Sequence, residues 1–88
     1  MAKYRLEIKP SAVSEIEAVA KKQDRRRLVA RIRALADEPR PQACEKLSGH
    51  RDRYRVRQGS YRVVYSVDDA GRIVLIVKVG HRREIYRR

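Results

Sequence analysis

The sequence predicts an α+β fold of two layers, with an N-terminal strand and a helical hairpin packed on a mostly antiparallel four-stranded sheet. Three observations predict it. Apolar residues alternate with polar ones at the start of the chain, recur at helical spacing between residues 12 and 36, and alternate again from residue 53 onward. A length of 88 residues leaves room for one domain, 1–88, around one modest core.

Residues 3–9 place Tyr4, Leu6 and Ile8 on one side and Lys3, Arg5, Glu7 and Lys9 on the other, the pattern of a half-buried strand. Pro10 ends it and Ser11 offers a helix cap. Ala12, Val13, Ile16, Val19 and Ala20 then predict a helix over residues 12–22. Gln23-Asp24 breaks the pattern, with Asp24 placed to cap a second helix that runs to about Ala36. Leu28, Val29, Ile32, Leu35 and Ala36 line the apolar side of that helix, and Arg25, Arg26, Arg27, Arg31 and Arg33 form a solvated one. The two helices make a hairpin with a very short turn, stopped by Asp37-Glu38-Pro39.

Residues 39–52 show no sustained period and read as a linker back to the sheet, with a short turn around Leu47. Alternation resumes over 53–57, turns at Gln58-Gly59-Ser60, and continues over 61–67. Asp68-Asp69-Ala70-Gly71 is a second turn. Residues 73–79 are almost continuously apolar, as expected of a central strand covered on both sides, and Gly80 ends it. Short connections make the three late strands an antiparallel meander, with the first strand beside the last. Tyr4, Tyr54, Tyr61 and Tyr65 share the core pattern.

The charge narrows the function. Lys and Arg number 23 against 11 Asp and Glu, a formal net charge of +12. A small chain carrying that charge repels itself unless a partner neutralises it. Nucleic acid, an anionic membrane surface and an acidic protein all qualify. Membrane is the weakest of them: no stretch approaches the roughly 18 apolar residues of a spanning helix, no signal peptide opens the chain, and Trp and Phe are absent. Cys44 is the sole cysteine, which excludes an internal disulfide and suits a reducing cytoplasm. His50, His81 and Cys44 are too scattered to suggest a metal site.

The period of two groups Arg53, Arg55 and Arg57 on one face, roughly 7 Å apart along their strand. Arg62 lies on the next strand, and Arg82 and Tyr86 follow the last. Arginine forks match phosphate oxygens in pairs, and aromatic rings stack on bases, so this face suits a single-stranded nucleic acid. Asp52 and Glu84 are the carboxylates near it in sequence. His81, at a strand end, can exchange protons near neutral pH.

Four segments carry a resemblance: Lys46-Leu47-Ser48-Gly49, Tyr54-Arg55-Val56-Arg57, Tyr61-Arg62-Val63-Val64-Tyr65, and Val79-Gly80-His81-Arg82-Arg83-Glu84-Ile85-Tyr86. In this order they resemble the RelE/ParE superfamily of bacterial toxins from type II toxin–antitoxin systems. The resemblance implies a microbial-RNase-like fold and one of two activities. The RelE branch cuts message in the ribosomal A site and stops translation; the ParE branch poisons DNA gyrase and generally lacks the catalytic set. The set implied here is Arg55, Arg57, Arg62, Arg82 and Tyr86, which favours RelE.

On that reading the ribose 2′-hydroxyl attacks the phosphodiester without a metal or other cofactor. Arg62 and Arg82 clamp the phosphate, Arg57 assists, and Tyr86 stacks or moves a proton. Arg53, Arg55, Arg57, Arg83 and Lys46 bind the RNA. Lysines stand in the archetype where Arg55 and Arg57 stand here, and an arginine is a poor base; His81 is the local alternative. The implied partners are the ribosome with its mRNA and an acidic antitoxin, whose own domain takes the complex to operator DNA. A non-catalytic RNA-binding module is the third reading.

Overall fold

Alternation and helical spacing translate into seven elements in the computed structural model, which describes residues 3–81. They are β1 (Arg5–Ile8), α1 (Pro10–Glu17), α2 (Lys22–Ala34), β2 (Glu45–Lys46), β3 (Arg53–Gln58), β4 (Tyr61–Asp68) and β5 (Ile73–His81). The sheet order is β1-β5-β4-β3-β2, with β1 parallel to β5 and the other pairs antiparallel. The α+β layering and the place of the first strand beside the last are as the pattern predicts.

The sheet has five strands rather than four. The added strand lies in the supposed linker, where Glu45 pairs with Arg55 and Lys46 with Tyr54. Two residues are too few for a visible period, and an edge strand this short owes its existence to the neighbour it pairs with. Turns fall at residues 42–43 and 48–49, on either side of it, the second directly after Leu47.

The helices also start and stop differently. Pro10 opens α1 instead of merely ending β1, with Lys9 rather than Ser11 as its cap residue. Proline suits this position, because its missing N–H belongs to a turn without intrahelical partners. The helix ends at Glu17, not Lys22. Val19 leaves the helical path to enter the core at 5% exposure, and Arg25 Nη1 donates to its carbonyl at 2.9 Å. α2 begins at Lys22, so Asp24 sits in the first turn, where it favours the helix dipole, rather than at the cap. Leu35 and Ala36 follow the helix as a turn and remain buried.

Both helices pack on the sheet face that carries Tyr54, Val56, Val63, Tyr65, Val67, Val74, Ile76 and Val79, with Ala12, Ile16, Leu28, Ile32 and Leu35 opposite. β5 is longer than expected: it passes through Gly80 to His81, and Val77 forms a bulge, since Val64 faces Lys78 while Tyr65 faces Ile76. Its apolar run is not covered on both sides. Val74 and Ile76 are buried, whereas Ile73, Leu75 and Val77 are half-buried on the second face.

A polar clasp ties the sheet's other end to the α2–β2 connection. Arg40 grips Asp69 through Nη1 and Nη2 at 3.2 and 2.8 Å and donates from Nε to the Tyr54 hydroxyl at 2.9 Å. The Tyr4 hydroxyl donates to Asp69 at 2.7 Å, and the Tyr65 hydroxyl to the Pro39 carbonyl at 2.7 Å. Burial, then the contact with Cys44, pushes the Tyr65 hydroxyl's pKa up. This connection carries β2 to the edge of the sheet.

Candidate nucleic-acid interface

Residues that alternate toward the core leave their neighbours facing the other way. Tyr54, Val56 and Gln58 pair with Tyr65, Val63 and Tyr61 on the helix side, so Arg53, Arg55 and Arg57 pair with Ser66, Val64 and Arg62 on the second face. Arg57 and Arg62 therefore stand directly opposite each other. Across β4 from Arg57, Arg62 faces Gly80 of β5, which presents no side chain. Arg62 is the one buried charged residue described, at 4% exposure.

Arg55, Arg57 and Arg62 line a recess of about 370 Å³ together with Ala43 and Glu45. Glu45 is the residue the sequence does not reveal. Its carboxylate accepts a hydrogen bond from Arg55 Nη2 at 2.6 Å. That bond, then the charges of Arg55, Arg57 and Arg62, hold its carboxyl below the ordinary glutamate value despite its exposure. Asp52, the described carboxylate near the patch in sequence, does not line this recess. Glu45 reaches it through strand pairing, and the available signal was the Glu45-Lys46 dipeptide just ahead of a strand.

The other expected site residues are distributed as follows. Arg53 shares the face but lies beyond the recess. Lys46 pairs with Tyr54, out of phase with Glu45, and is exposed away from the recess. His81 pairs with Tyr61 on the helix side, with ring centroids 5.7 Å apart and edge-on, so it does not meet Arg62's face. Arg82, Arg83 and Tyr86 lie outside the described residues.

Chemically, the recess combines fixed positive charge for a phosphodiester with a carboxylate able to accept a proton. Among the described residues no three His, Cys, Asp or Glu side chains gather where they could hold a metal ion. No described helix is long and apolar enough to cross a membrane.

Comparison with known proteins follows this geometry. Residues 6–86 match the family described as the ParE toxin of the type II toxin–antitoxin system parDE. The archaeal RelE–RelB complex from Pyrococcus horikoshii contains a chain 33% identical, with a TM-score of 0.80 over 91% of this chain and 96% of that one. The intact Escherichia coli RelBE toxin–antitoxin complex is 30% identical, with a TM-score of 0.76 over 89% and 95%. Toxin RelG of Mycobacterium tuberculosis is 46% identical over 35 residues, a stretch spanning 40% of either chain. RelE-type proteins dominate the structural likenesses. The chain belongs to the RelE/ParE superfamily of toxins from type II toxin–antitoxin systems.

Proposed function

We propose that the protein is a ribosome-dependent endoribonuclease toxin that cleaves mRNA in the A site and inhibits translation. The observation that carries this reading is the Arg57–Arg62 pair opposed beside the Glu45–Arg55 ion pair in one recess. Opposed arginines favour an anion between them, and the carboxylate supplies the proton acceptor that arginine cannot.

The ribose 2′-oxygen loses its proton and forms a bond to the adjacent phosphorus. The bond from phosphorus to the 5′-oxygen breaks, and that oxygen takes up a proton. The products are a 2′,3′-cyclic phosphate and a 5′-hydroxyl. Arg57 and Arg62 stabilise charge on the phosphoryl oxygens as it develops. Arg55 holds Glu45 in place and keeps its carboxyl ionised, so that Glu45 can act as the base. His81, the base favoured from sequence, sits on the opposite face, and Arg82 and Tyr86 keep the roles implied by the resemblance, at the phosphate and the base.

In this reading residues 1–88 form one toxin domain working in the cytoplasm. Its relatives are seen in RelE–RelB and RelBE toxin–antitoxin complexes, and an acidic antitoxin is the partner that would neutralise the +12 charge here. The antitoxin's own domain carries the complex to operator DNA.

Primer extension on translating ribosomes tests the proposal. Cleavage within A-site codons, lost in Arg62→Ala with the fold intact by circular dichroism, is the expected result. The match to the ParE toxin family favours a second reading, the gyrase inhibition that the resemblance implies for that branch. Intact message together with gyrase-dependent DNA breaks establishes that reading instead, and RNA bound but uncut makes the chain a binding module.

A further inference from the structure

Tyr61 and Arg62 are neighbours on β4 and face opposite sides of the sheet. Arg62 serves the arginine recess. Tyr61 opens onto a second recess of about 480 Å³, lined also by Glu15, Ala18, Val19, Lys78, Val79, Gly80 and His81. This volume falls in the range of roughly 300–1,000 Å³ typical of small-ligand sites.

The composition of this recess is specific. Tyr61 and His81 supply two half-exposed rings set nearly perpendicular, at 79°. Ala18 and Val19, where the chain leaves α1, contribute apolar surface. Glu15 supplies a carboxylate that is already oriented: Oε1 accepts the Val79 N–H at 2.8 Å and Oε2 accepts Lys78 Nζ at 3.1 Å. β1 pairs with β5 only as far as Ile76, so the Glu15 carboxylate takes over the strand edge beyond it. Its side chain is 31% exposed, held in the wall rather than waving in solvent. Each carboxylate oxygen can accept more than one hydrogen bond, so both retain capacity toward the recess.

We propose that this recess, on the opposite side of the sheet from the arginine recess, is a nucleobase site selective for guanine. Guanine presents two adjacent donors, N1–H and the N2 amine, to a carboxylate with two acceptor oxygens. Adenine presents an acceptor at N1 and no N2 amine, and the pyrimidines offer less surface to the rings. The rings hold the base by stacking and edge contacts, a sequence-tolerant contribution, while Glu15 makes the choice. Lys78, beside the carboxylate, adds positive charge for the attached phosphate.

The inference rests on reading the chain as RNA-directed, and it is tested apart from cleavage. Guanosine, inosine and adenosine 3′-monophosphates are titrated into the full chain and followed by amide chemical shifts. The expected result is binding about ten-fold tighter for guanosine than for adenosine, inosine between them, and shifts at Val79, Gly80 and His81. Glu15→Gln abolishes the preference, Tyr61→Leu weakens all three ligands, and Tyr61→Phe restores binding. Equal affinities for the three nucleotides overturn the proposal, as do shifts confined to the strand bearing Arg55 and Arg57. Since the wild-type comparison needs no variant, loss of folding in Glu15→Gln leaves the test intact. Message cleavage without guanine binding removes this site and leaves the nuclease reading standing; guanine binding without cleavage does the reverse.

Discussion

Arg57 and Arg62 occupy directly opposed positions on β3 and β4, with Arg62 buried and Arg57 exposed. Like charges so placed destabilise a sheet, so an anion bound between them stabilises the fold. A saturating single-stranded oligoribonucleotide is expected to raise the thermal midpoint. At a hundred-fold excess over Kd the linkage amounts to about 2.7 kcal/mol, roughly 10 °C or more for a chain of this size. Arg57→Ala should remove most of the ligand-induced shift, and raising the salt should shrink it in the wild type. Differential scanning fluorimetry at two salt concentrations reads both effects.

Glu45 should separate binding from chemistry. Glu45→Gln removes a negative charge from the rim of the arginine recess, so RNA affinity is expected to hold or rise. Cleavage should fall by about 100-fold or more, the usual contribution of a positioned base. Filter binding and single-turnover cleavage measure the two separately. A parallel loss of both would mean that Glu45 merely shapes the recess.

The same residue sets an acid limb. Arg55, Arg57 and Arg62 hold the Glu45 carboxyl below the ordinary 4.5 of a glutamate. A depressed folded value means that the ion pair supports the fold above that pH and is lost as pH falls through the lowered value. Cleavage limited by an ionised Glu45 should therefore persist down to about pH 4.5 in conditions that keep the substrate intact. A rate that halves near pH 6.5 would instead point to a histidine.

The clasp at the far end of the sheet should show a matching pH dependence in stability. Arg40, then Tyr4, hold the Asp69 carboxyl below its usual range through hydrogen bonds. By the same sign argument, its support is complete above the ordinary aspartate value of about 3.9 and is lost as pH falls through the lowered value. Asp69→Asn should lower the thermal midpoint at pH 7, and by progressively less as pH falls below the ordinary aspartate value, which thermal melts across an acid series measure.

Tyr65 tests how firmly the connection to β2 is anchored. The side chain has 0% exposure and its hydroxyl donates to the Pro39 carbonyl. Tyr65→Phe is expected to cost about 1 kcal/mol, the net value of such a bond. Tyr65→Ala should cost about 3–5 kcal/mol, because it also opens a cavity against Tyr54 and the core. Urea denaturation measures both.

The sequence by itself determined the layers, the order of the helices and main strands, Tyr54 and Tyr65 in the core and Arg53, Arg55, Arg57 and Arg62 on the other face. These follow from periods of two and 3.6, which are local properties of the chain. Tertiary structure decided the rest. The fifth strand exists because β3 offers an edge to two residues that show no period of their own, and Glu45 enters the recess only through that pairing. Helix α1 stops early because Val19 gains more from the core than from another helical turn. His81 parts from Arg62 because Val77 bulges and β5 runs on through Gly80, which fixes the phase of the last residues. Strand phase and cross-strand register depend on partners distant in the chain, and a one-residue step exchanges the faces of a sheet. The arginines were therefore legible as a face, but the carboxylate beside them, and the separation of Tyr61 and His81 into a second recess, came from the fold.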